Sequence, residues 1–283
     1  MNRHKVRLTI LADNTASPGL VAEHGLSCWI EVEGKKLLFD TGQKKALAAN
    51  SETLGINLSE TDVLVLSHGH YDHTGSIPAV LKRAHRAHIY LHPATFLPRY
   101  NIRDEIFRSI QMPAESMRAI INLPEKRIHW VSQPAYLFAG VGIKEVGITG
   151  PVPRKTDFED TGGPFFLDPK GMRPDPIEDD LALWIRTDGG LVVCVGCCHA
   201  GLVNTLRYIM DLTGEHRIHT LIGGFHLSNA NADRMERTVA ELQLHPIGRI
   251  IPCHCTGEMA VEYLKRNLNC PVYPGYAGFT MDI

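Results

Sequence analysis

Four side chains that bind metal ions lie within six residues, and this run limits the possible folds more than any other feature. His68, His70, Asp72 and His73 follow Asp62–Leu66, an apolar run that predicts a strand buried on both faces. Neutral imidazoles and carboxylates bind divalent cations at about 2.0–2.2 Å. His68 and His70 are two residues apart and point to the same side of an extended loop. The sequence therefore predicts a metal site at the end of a buried strand, with Asp72 and His73 placed to reach a second ion.

Two more histidines follow predicted strands later in the chain. His199 and His254 each come directly after an apolar run. Because active sites of sheet proteins gather at strand ends, we predict that both are metal ligands, although each one alone fits a structural role equally well. Asp40 ends a further apolar strand. A ligating histidine usually donates its second N–H to a carboxylate, so Asp40 is predicted to orient a histidine, with a turn-forming aspartate as the alternative.

Length, charge and cysteine content limit the class of protein. The chain has 283 residues, 44% of them hydrophobic, and its charges sum to −2. A chain of this length buries about three quarters of its surface and needs no disulfide or metal to fold. The charge balance disfavours nucleic-acid binding, and no apolar run approaches the roughly 20 residues that span a bilayer. Seven cysteines are an odd number, unlike the framework of a small secreted domain. We therefore expect a cytoplasmic protein that binds neither nucleic acid nor membrane, and we leave its oligomeric state open.

Strands and helices alternate along the chain. Hairpin signals at Glu33-Gly34 and Asp188-Gly189-Gly190, with strand–helix alternation in the last third, predict mixed sheets covered by helices. Helical periodicity extends over residues 96–125 and is broken at Pro113 and Pro124. Cys270–Tyr273 is predicted as a final strand.

One segment departs from this alternation. Residues 151–180 are rich in Pro, Gly and Asp. Loops this long in a compact domain are usually functional or disordered, so the segment is predicted to be either a lid or a surface excursion. The domain prediction is a single domain of residues 1–283 with a lid or insertion at about 94–180.

The histidine motif and the segments that accompany it resemble a known family. His68-Gly69-His70-Tyr71-Asp72-His73 resembles the signature of the metallo-β-lactamase superfamily, and Asp40, His199 or Cys197, and His254 follow in the order of its remaining motifs. A subgroup of metal-dependent hydrolases in that family, which includes pterin-related chemistry, is similar in four further segments. These are Glu23-His24-Gly25-Leu26-Ser27, Gly196-Cys197-x-His199-Ala200-Gly201, Gly223-Gly224-Phe225-His226-Leu227 and His254-Cys255-Thr256-Gly257.

The resemblance implies an α+β fold, the four-layer αββα sandwich of the metallo-β-lactamase fold, with a dinuclear metal site at one edge. It implies two divalent metal ions, zinc in the first place and manganese or iron as alternatives. The implied ligands are His68 and His70 for the first ion, and Asp72, His73 and His254 for the second.

The chain departs from the family pattern at the remaining ligand of the first ion. Many relatives take a histidine from just before the hairpin that begins at Leu181, and this sequence has none there. The missing ligand is therefore assigned to His199, with Asp180 as the second choice. Cys197 stands where relatives carry a bridging aspartate or a cysteine, and we place it next to the ligands. Its thiolate would favour zinc over manganese.

Such a site implies a metal-dependent hydrolase or transferase. Two cations make water nucleophilic near neutral pH and polarise a carbonyl or phosphoryl group. Asp72 is expected to orient the water, and His226, at another strand end, to donate a proton or bind substrate. Glu23 and His24 are predicted to bind substrate. A structural role is the alternative for His226, Glu23 and His24.

The substrate class is the least defined part of the prediction. We expect a small, anionic molecule that is either phosphorylated or an ester. The resemblance to the subgroup implies pterin-related diphosphate chemistry as one such reaction. Arg99, Arg103 and Arg154 are candidates for binding a phosphate group.

Two other functions stay open. Cys194, Cys197, Cys253 and Cys255 could form a structural zinc module with four cysteine ligands. The chain could also be an RNA-processing nuclease of the same superfamily.

Overall fold

The computed structural model describes residues 6–138 and 145–283, and the chain divides into two compact units. Unit 1 consists of the described residues up to Val131 together with Phe165–Asp175 and Tyr276–Ile283. Unit 2 consists of the described residues of Ser132–Pro164 and Pro176–Gly275. Residues 1–5 and 139–144, which belong to the predicted domain and its insertion, lie outside the described residues. One domain with a lid at about 94–180 stays a prediction.

Strands and helices alternate in both units. The strands are β1 (Val6–Ala12), β2 (Ser27–Val32), β3 (Lys35–Phe39), β4 (Val63–Val65), β5 (His88–Leu91), β6 (Tyr100–Arg103), β7 (Ile106–Ser109), β8 (Ile128–Trp130), β9 (Ala135–Leu137), β10 (Val146–Ile148), β11 (Phe165–Phe166), β12 (Ala182–Thr187), β13 (Gly190–Val195), β14 (Ile218–Gly224), β15 (Ile250–Cys253) and β16 (Thr280–Asp282). The α-helices are α1 (Ala46–Thr53), α2 (Tyr71–Thr74), α3 (Ile77–Arg83), α4 (Ala114–Ile121), α5 (Leu202–Thr213), α6 (Ala232–Gln243) and α7 (Glu258–Asn267).

Unit 1 is built on a seven-stranded sheet with the order β16-β1-β2-β3-β4-β5-β8. The strands from β16 to β3 are antiparallel, and those from β3 to β8 are parallel. Phe39 of β3 pairs with Val65 of β4, so these two parallel strands end side by side. The segments that begin at Asp40 and at Leu66 therefore leave the sheet at the same edge.

The core of unit 1 lies between this sheet and its helices. Leu38, Leu64 and Ile89 of the parallel strands pack with Leu47 of α1 and Val80 of α3, and all five side chains are completely buried. This apolar layer holds the strand ends in place.

The predicted helical stretch over 96–125 is wrong for its first half. Residues 100–109 form the hairpin of β6 and β7, and only α4 is helical. Asp104 and Glu105 adopt left-handed φ angles of 49° and 61°, which suit the tight turn of a hairpin. Local turn chemistry and cross-strand pairing thus outweigh an apolar spacing that also fits a helix.

Unit 2 is built on a six-stranded sheet with the order β15-β14-β13-β12-β10-β9. Strands β13, β14 and β15 run parallel, and their neighbours are antiparallel. Val195 pairs with Gly223, and Gly224 pairs with Cys253, so the three parallel strands end at one edge.

Helix α5 shows why the sequence of unit 2 folds as it does. Leu206, Ile209 and Met210 are buried at helical spacing against the sheet. The helix ends at Gly214, whose φ of 66° is the left-handed conformation that terminates helices without a Cβ penalty.

The predicted last strand is also wrong. In Cys270–Tyr273, the structure has only an isolated bridge between Val272 and Ile250. The strand near the C-terminus is instead β16, which pairs with β1 in unit 1. Among the described residues, no helix is both long and apolar enough to cross a membrane.

Candidate metal centre

Unit 1 gathers four predicted ligands in one place. This group, which we call cluster A, consists of His68, His70, Asp72 and His73. The loop after β4 carries His68 and His70, and α2 carries the other two. The exposed fractions are 0% for His68 and His73, 5% for His70 and 6% for Asp72. Polar side chains are buried to this extent when they are paired or bound to an ion, so cluster A is not a polar surface loop.

The imidazole nitrogens of cluster A converge. Nε2 of His68 lies 3.0 Å from Nδ1 of His70, and Ser67 Oγ lies 2.9 Å from Nδ1 of His68. The ring centroids of His68 and His73 are 4.3 Å apart. Two nitrogen ligands of one cation, each at about 2.0–2.1 Å from it, are separated by roughly 3.0–3.4 Å. The spacing of His68 and His70 therefore fits a shared divalent cation.

Asp40 holds the next histidine of cluster A. Its Oδ2 lies 2.7 Å from His73 Nδ1, and both side chains are completely buried. The carboxylate also accepts hydrogen bonds from Ser67, from N at 2.7 Å and from Oγ at 2.6 Å. By accepting the Nδ1 proton, Asp40 would leave Nε2 of His73 as the nitrogen that faces a metal ion. The contact between Asp40 and a histidine is present, and its role in orienting a ligand stays a prediction.

His24 and Glu23 occupy different surroundings. Nε2 of His24, on a half-exposed side chain, lies 3.0 Å from Oδ2 of Asp72. Glu23 instead receives the amides at the start of α1: Oε1 accepts from Gln43 and Lys44, both at 2.9 Å, and Oε2 from Lys45 at 2.6 Å. Its carboxylate thus stabilises a helix N-terminus. Substrate binding by these two residues stays a prediction.

Unit 2 gathers a second group at the ends of its three parallel strands. This group, cluster B, consists of Cys197, His199, His226, His254 and Cys255. The ligand atoms of Cys197, His199 and His226 all lie within 4.8 Å of one another, as do those of Cys197, His254 and Cys255. Imidazole nitrogens and thiol sulfurs are ligands that zinc accepts.

Left-handed backbone turns shape cluster B. Cys198, His226 and His254 have φ angles of 51°, 47° and 49°, a conformation that costs energy for residues with a Cβ. These residues lie within three residues of the ends of β13, β14 and β15, in the turns that follow the three strands. Strained residues of this kind cluster at functional sites.

Part of the segment 151–180 packs on cluster B. Nδ1 of His199 lies 2.7 Å from the carbonyl oxygen of Thr161, and Arg154 donates to the carbonyl oxygen of His199 at 2.5 Å. A Cβ added to Gly162 would lie 1.9 Å from the ring of His226, so only glycine fits there. Sequence reasoning missed Thr161 and Gly162, because a backbone carbonyl and a missing side chain leave no ligand signal in the sequence.

Two of the arginines considered for phosphate binding have structural partners. Arg99 is completely buried, with its Nε 2.9 Å from Oδ2 of Asp175. Arg154 donates to the carbonyl oxygens of His199 and Pro176. Neither of these two side chains is proposed further as a phosphate ligand.

The cysteines do not form the four-cysteine module considered as an alternative. Among the described residues, one group able to hold a metal combines Cys197 with Cys255, and no such group includes Cys194 or Cys253. Cys194 is buried within β13, and burial raises the pKa of its thiol to about 12, so it does not readily supply a thiolate. The physical reason is that Cys194 lies inside the buried strand β13, on the opposite face from Val193 and Val195, which pack in the core of unit 2.

Cys255 has a different environment. Burial opposes ionisation, but the Cys197 hydrogen bond and the charges of His226 and His254 together hold the pKa of the Cys255 thiol well below its usual range. A thiolate is the form that binds a metal. The sequence suggested Cys255 only as a ligand of the alternative four-cysteine module and gave it no role beside the histidines.

Asp180, the second choice for the missing ligand, lies beneath the His199 loop. Its Oδ2 accepts from the amide of Ala200 at 2.7 Å, while Oδ1 is buried without a hydrogen-bond partner. Burial raises the pKa of Asp180 to about 7. Its role as a ligand stays a prediction.

A cavity of about 550 Å³ lies between α6 and α7 of unit 2. It begins at Leu227 and Ser228, directly after His226, and at Gly257, three residues after His254. Met235 and Tyr263 contribute to its mainly apolar lining. A volume of this size suits a small organic molecule.

Comparison with known proteins identifies the family. The model of the metallo-β-lactamase superfamily matches residues 21–208. The chain belongs to the metallo-β-lactamase superfamily. The predicted metallo-β-lactamase fold is therefore confirmed, and so is the family resemblance. Metal binding is typical of this superfamily, and clusters A and B supply candidate ligands.

Three known proteins are similar over most of the chain. A 7,8-dihydropterin-6-methyl-4-(β-D-ribofuranosyl)-aminobenzene-5′-phosphate synthase of Methanocaldococcus jannaschii is 30% identical over 83% of this chain and 82% of its own. An uncharacterised protein of the same archaeon is 30% identical over 98% of this chain and 100% of its own. A solved metal-dependent hydrolase of the β-lactamase superfamily has a TM-score of 0.81 and 28% identity, covering 98% of this chain and 99% of its own.

Proposed function

We propose that this protein is a metal-dependent hydrolase or transferase that acts on a phosphorylated or ester substrate. The observation that carries the proposal is cluster A, in which Nε2 of His68 and Nδ1 of His70 lie 3.0 Å apart and both side chains are buried. Asp40 fixes the tautomer of His73 beside them. Membership of a superfamily that typically binds metal ions supports the same function.

The proposed cofactor is a pair of divalent cations, with zinc preferred because cluster B adds thiol ligands. The proposed ligands, as the family resemblance implies, are His68, His70 and His199 for one ion, and Asp72, His73 and His254 for the other. Cys197 lies among the donor atoms of cluster B and is proposed to assist them.

The roles of the protein's own side chains follow from their contacts. Bound divalent cations supply Lewis acidity and make water nucleophilic near neutral pH. The Asp72 carboxylate, fixed by His24 at 3.0 Å, orients the attacking water. His226, whose ring centroid lies 4.5 Å from that of His199, donates a proton to the leaving group.

The proposed substrate is a small anionic molecule with a flat or apolar part. The cavity beside His226 and His254 has the volume and the apolar lining for such a part. The relative from Methanocaldococcus jannaschii is named for a product that contains a pterin and a phosphate. Pterin-related phosphate or diphosphate chemistry is therefore the first substrate class to test.

The metal content of variants tests the proposed site. We expect the purified protein to retain divalent metal after dialysis, and His70→Ala to lose most of it, because His70 supplies a donor nitrogen of cluster A. His88→Ala is the matched control, since His88 contacts His129 in the same unit. Plasma mass spectrometry gives the metal per chain. Equal metal content in all three proteins would refute the proposed ligands.

A substrate panel tests the reaction. The metal-loaded protein is assayed with diphosphates, phosphodiesters, lactones, thioesters and an RNA oligomer. We expect the wild-type protein to turn over a diphosphate or a small ester. His70→Ala should lose this turnover, and His88→Ala should keep it. Turnover of RNA alone would favour the nuclease alternative and contradict the proposed substrate class.

A further inference from the structure

We propose that Cys197 and Cys255 are a site of reversible oxidation, at which hydrogen peroxide converts the two thiols into a disulfide. The sulfur atoms lie 3.3 Å apart, and both residues are reduced thiols in the structure. A disulfide has an S–S bond of about 2.05 Å, so the sulfurs need to approach by about 1.3 Å. A change of side-chain torsion angles provides movements of this size.

The sheet of unit 2 brings the two thiols together in an unusual way. Cys197 follows β13 and Cys255 follows β15, and these strands are separated by β14. The two cysteines meet across the end of β14, where Gly224 lies between them. A Cβ on Gly224 would lie 2.6 Å from Cys255 Sγ and 3.6 Å from Cys197 Cα. The missing side chain of Gly224 therefore provides the space in which the sulfurs meet.

A second contact fixes the position of the Cys255 side chain. Its Sγ also lies 3.9 Å from the carbonyl oxygen of Cys197. The thiol therefore lies over the backbone of the residue with which it would react. Such preorganisation lowers the entropic cost of forming the bond.

The accessibility of the two thiols defines the order of the reaction. Cys255 is half-buried, whereas Cys197 is only 3% exposed. The Cys255 sulfur attacks one peroxide oxygen, the O–O bond breaks, and a sulfenic acid and one water form. The Cys197 sulfur then attacks the sulfenic sulfur, and the S–S bond forms as a second water leaves. Two cysteines lose two electrons, and the peroxide is reduced to two waters.

The disulfide would join the loop that carries His199 to the turn that carries His254. Cys197 is two residues before His199, and Cys255 directly follows His254. Oxidation would thus tie together two strand ends of cluster B and remove both thiols as ligands. The disulfide proposal needs no assumption about the reaction that the protein catalyses, so it can fail or succeed independently of the proposed function.

Thiol counting tests the proposal on the full-length protein. The protein is treated with hydrogen peroxide, quenched with catalase, unfolded and alkylated, and its intact mass is measured before and after dithiothreitol. We expect two fewer of the seven cysteines to be alkylated after peroxide, and full recovery after the reductant.

Matched variants identify the pair. Cys255→Ser is expected to lower the cross-linked fraction roughly tenfold, because the Cys255 sulfur lies 3.3 Å from that of Cys197. Cys253→Ser, two residues away, is expected to keep it. Cys197→Ser should behave like Cys255→Ser, and circular dichroism checks that each variant is folded. The proposal is overturned if Cys253→Ser abolishes the cross-link. Oxidation of Cys255 to a sulfinic acid in the wild-type protein, with no loss of a second thiol, would overturn it as well.

Discussion

At the scale of single residues, Asp40 serves both the backbone and the candidate site. It adopts a left-handed φ of 59° directly after β3, a conformation that Asp and Asn tolerate better than most residues. The same carboxylate accepts hydrogen bonds from Ser67 and His73 in a completely buried setting. One side chain therefore connects the end of β3 to the loop after β4 and to the tautomer of a proposed ligand.

Asp40→Asn separates these roles. Asparagine keeps the backbone conformation and one acceptor oxygen but loses the charge that orients His73. We expect the affinity for divalent metal to fall about 10–100-fold, and stability to fall by about 1–3 kcal/mol. Competition with a chelator measures the affinity. The control is Asp62→Asn, whose carboxylate accepts the Lys36 amide at 2.9 Å in the same unit, and unchanged affinity in Asp40→Asn would contradict the role given to Asp40.

His129 gives a residue-scale prediction about pH. Burial and the neighbouring His88 lower the pKa of His129. Since the folded pKa lies below the unfolded value of about 6.5, the neutral form is favoured in the folded state, and stability is lost as pH falls through the unfolded value toward the folded one. In His129→Phe, which keeps an aromatic ring against Tyr90, this contribution is absent.

Urea unfolding of both proteins at about pH 7.5 and about pH 5.5 measures the effect of His129. Wild type should lose more stability than His129→Phe between the two pH values. Equal losses would show that His129 does not contribute.

At the scale of elements, the start of α5 connects a loop to cluster B. Glu159 accepts from the amides of Val203 at 2.8 Å and Asn204 at 2.9 Å, in the first turn of the helix. Gly201 precedes the helix with a φ of 100°, and a Cβ there would lie 2.4 Å from the Glu159 carboxyl group. The helix N-terminus thus fixes the loop segment that also contacts His199.

Glu159→Ala tests this anchoring. The variant loses the carboxylate that accepts two amide hydrogen bonds at the start of α5, which should cost about 1–2 kcal/mol of stability. Trypsin should also cleave faster after Arg154 and Lys155. The control is Glu258→Ala in the exposed first turn of α7, for which we expect a change within about 0.5 kcal/mol. Urea unfolding and limited proteolysis provide the two measurements. Unchanged cleavage in Glu159→Ala would show that the loop is held by other contacts.

At the scale of the whole molecule, neither unit is a continuous stretch of chain. Unit 1 takes Phe165–Asp175 and Tyr276–Ile283 from regions distant in sequence. Its edge strand β16 pairs with β1 through Leu8 with Met281 and Thr9 with Thr280. The last residues of the chain therefore complete the sheet that carries cluster A.

Deletion of residues 276–283 tests whether the pairing of β16 with β1 stabilises unit 1. The truncated protein loses a strand and leaves β1 as an edge strand, so we expect a stability loss of about 3–5 kcal/mol and increased self-association. Asp282→Ala, which changes an exposed side chain but keeps the pairing, is the control. Thermal unfolding and light scattering measure the two effects, and a truncated protein as stable as wild type would contradict the role of β16.

Features that depend on residues close together in the chain were predictable from the sequence. The run from His68 to His73 predicted the family, which the superfamily match confirms, because several potential ligands so close together have few other uses. The apolar strands and the helices of the last third were also predictable, since their periodicity is strong. The 96–125 segment failed because an apolar spacing suited to a helix also fits a hairpin.

Tertiary structure alone decided which distant residues meet. Four secondary-structure elements, α5, β14, α6 and β15, separate Cys197 from Cys255 in the sequence, yet parallel strand ends and Gly224 bring their sulfurs to 3.3 Å. The sequence likewise gives no sign that the carbonyl of Thr161 holds His199, or that Glu23 binds the start of α1. A sequence records which groups are available, whereas the packing of strands and loops determines which of them lie within bonding distance.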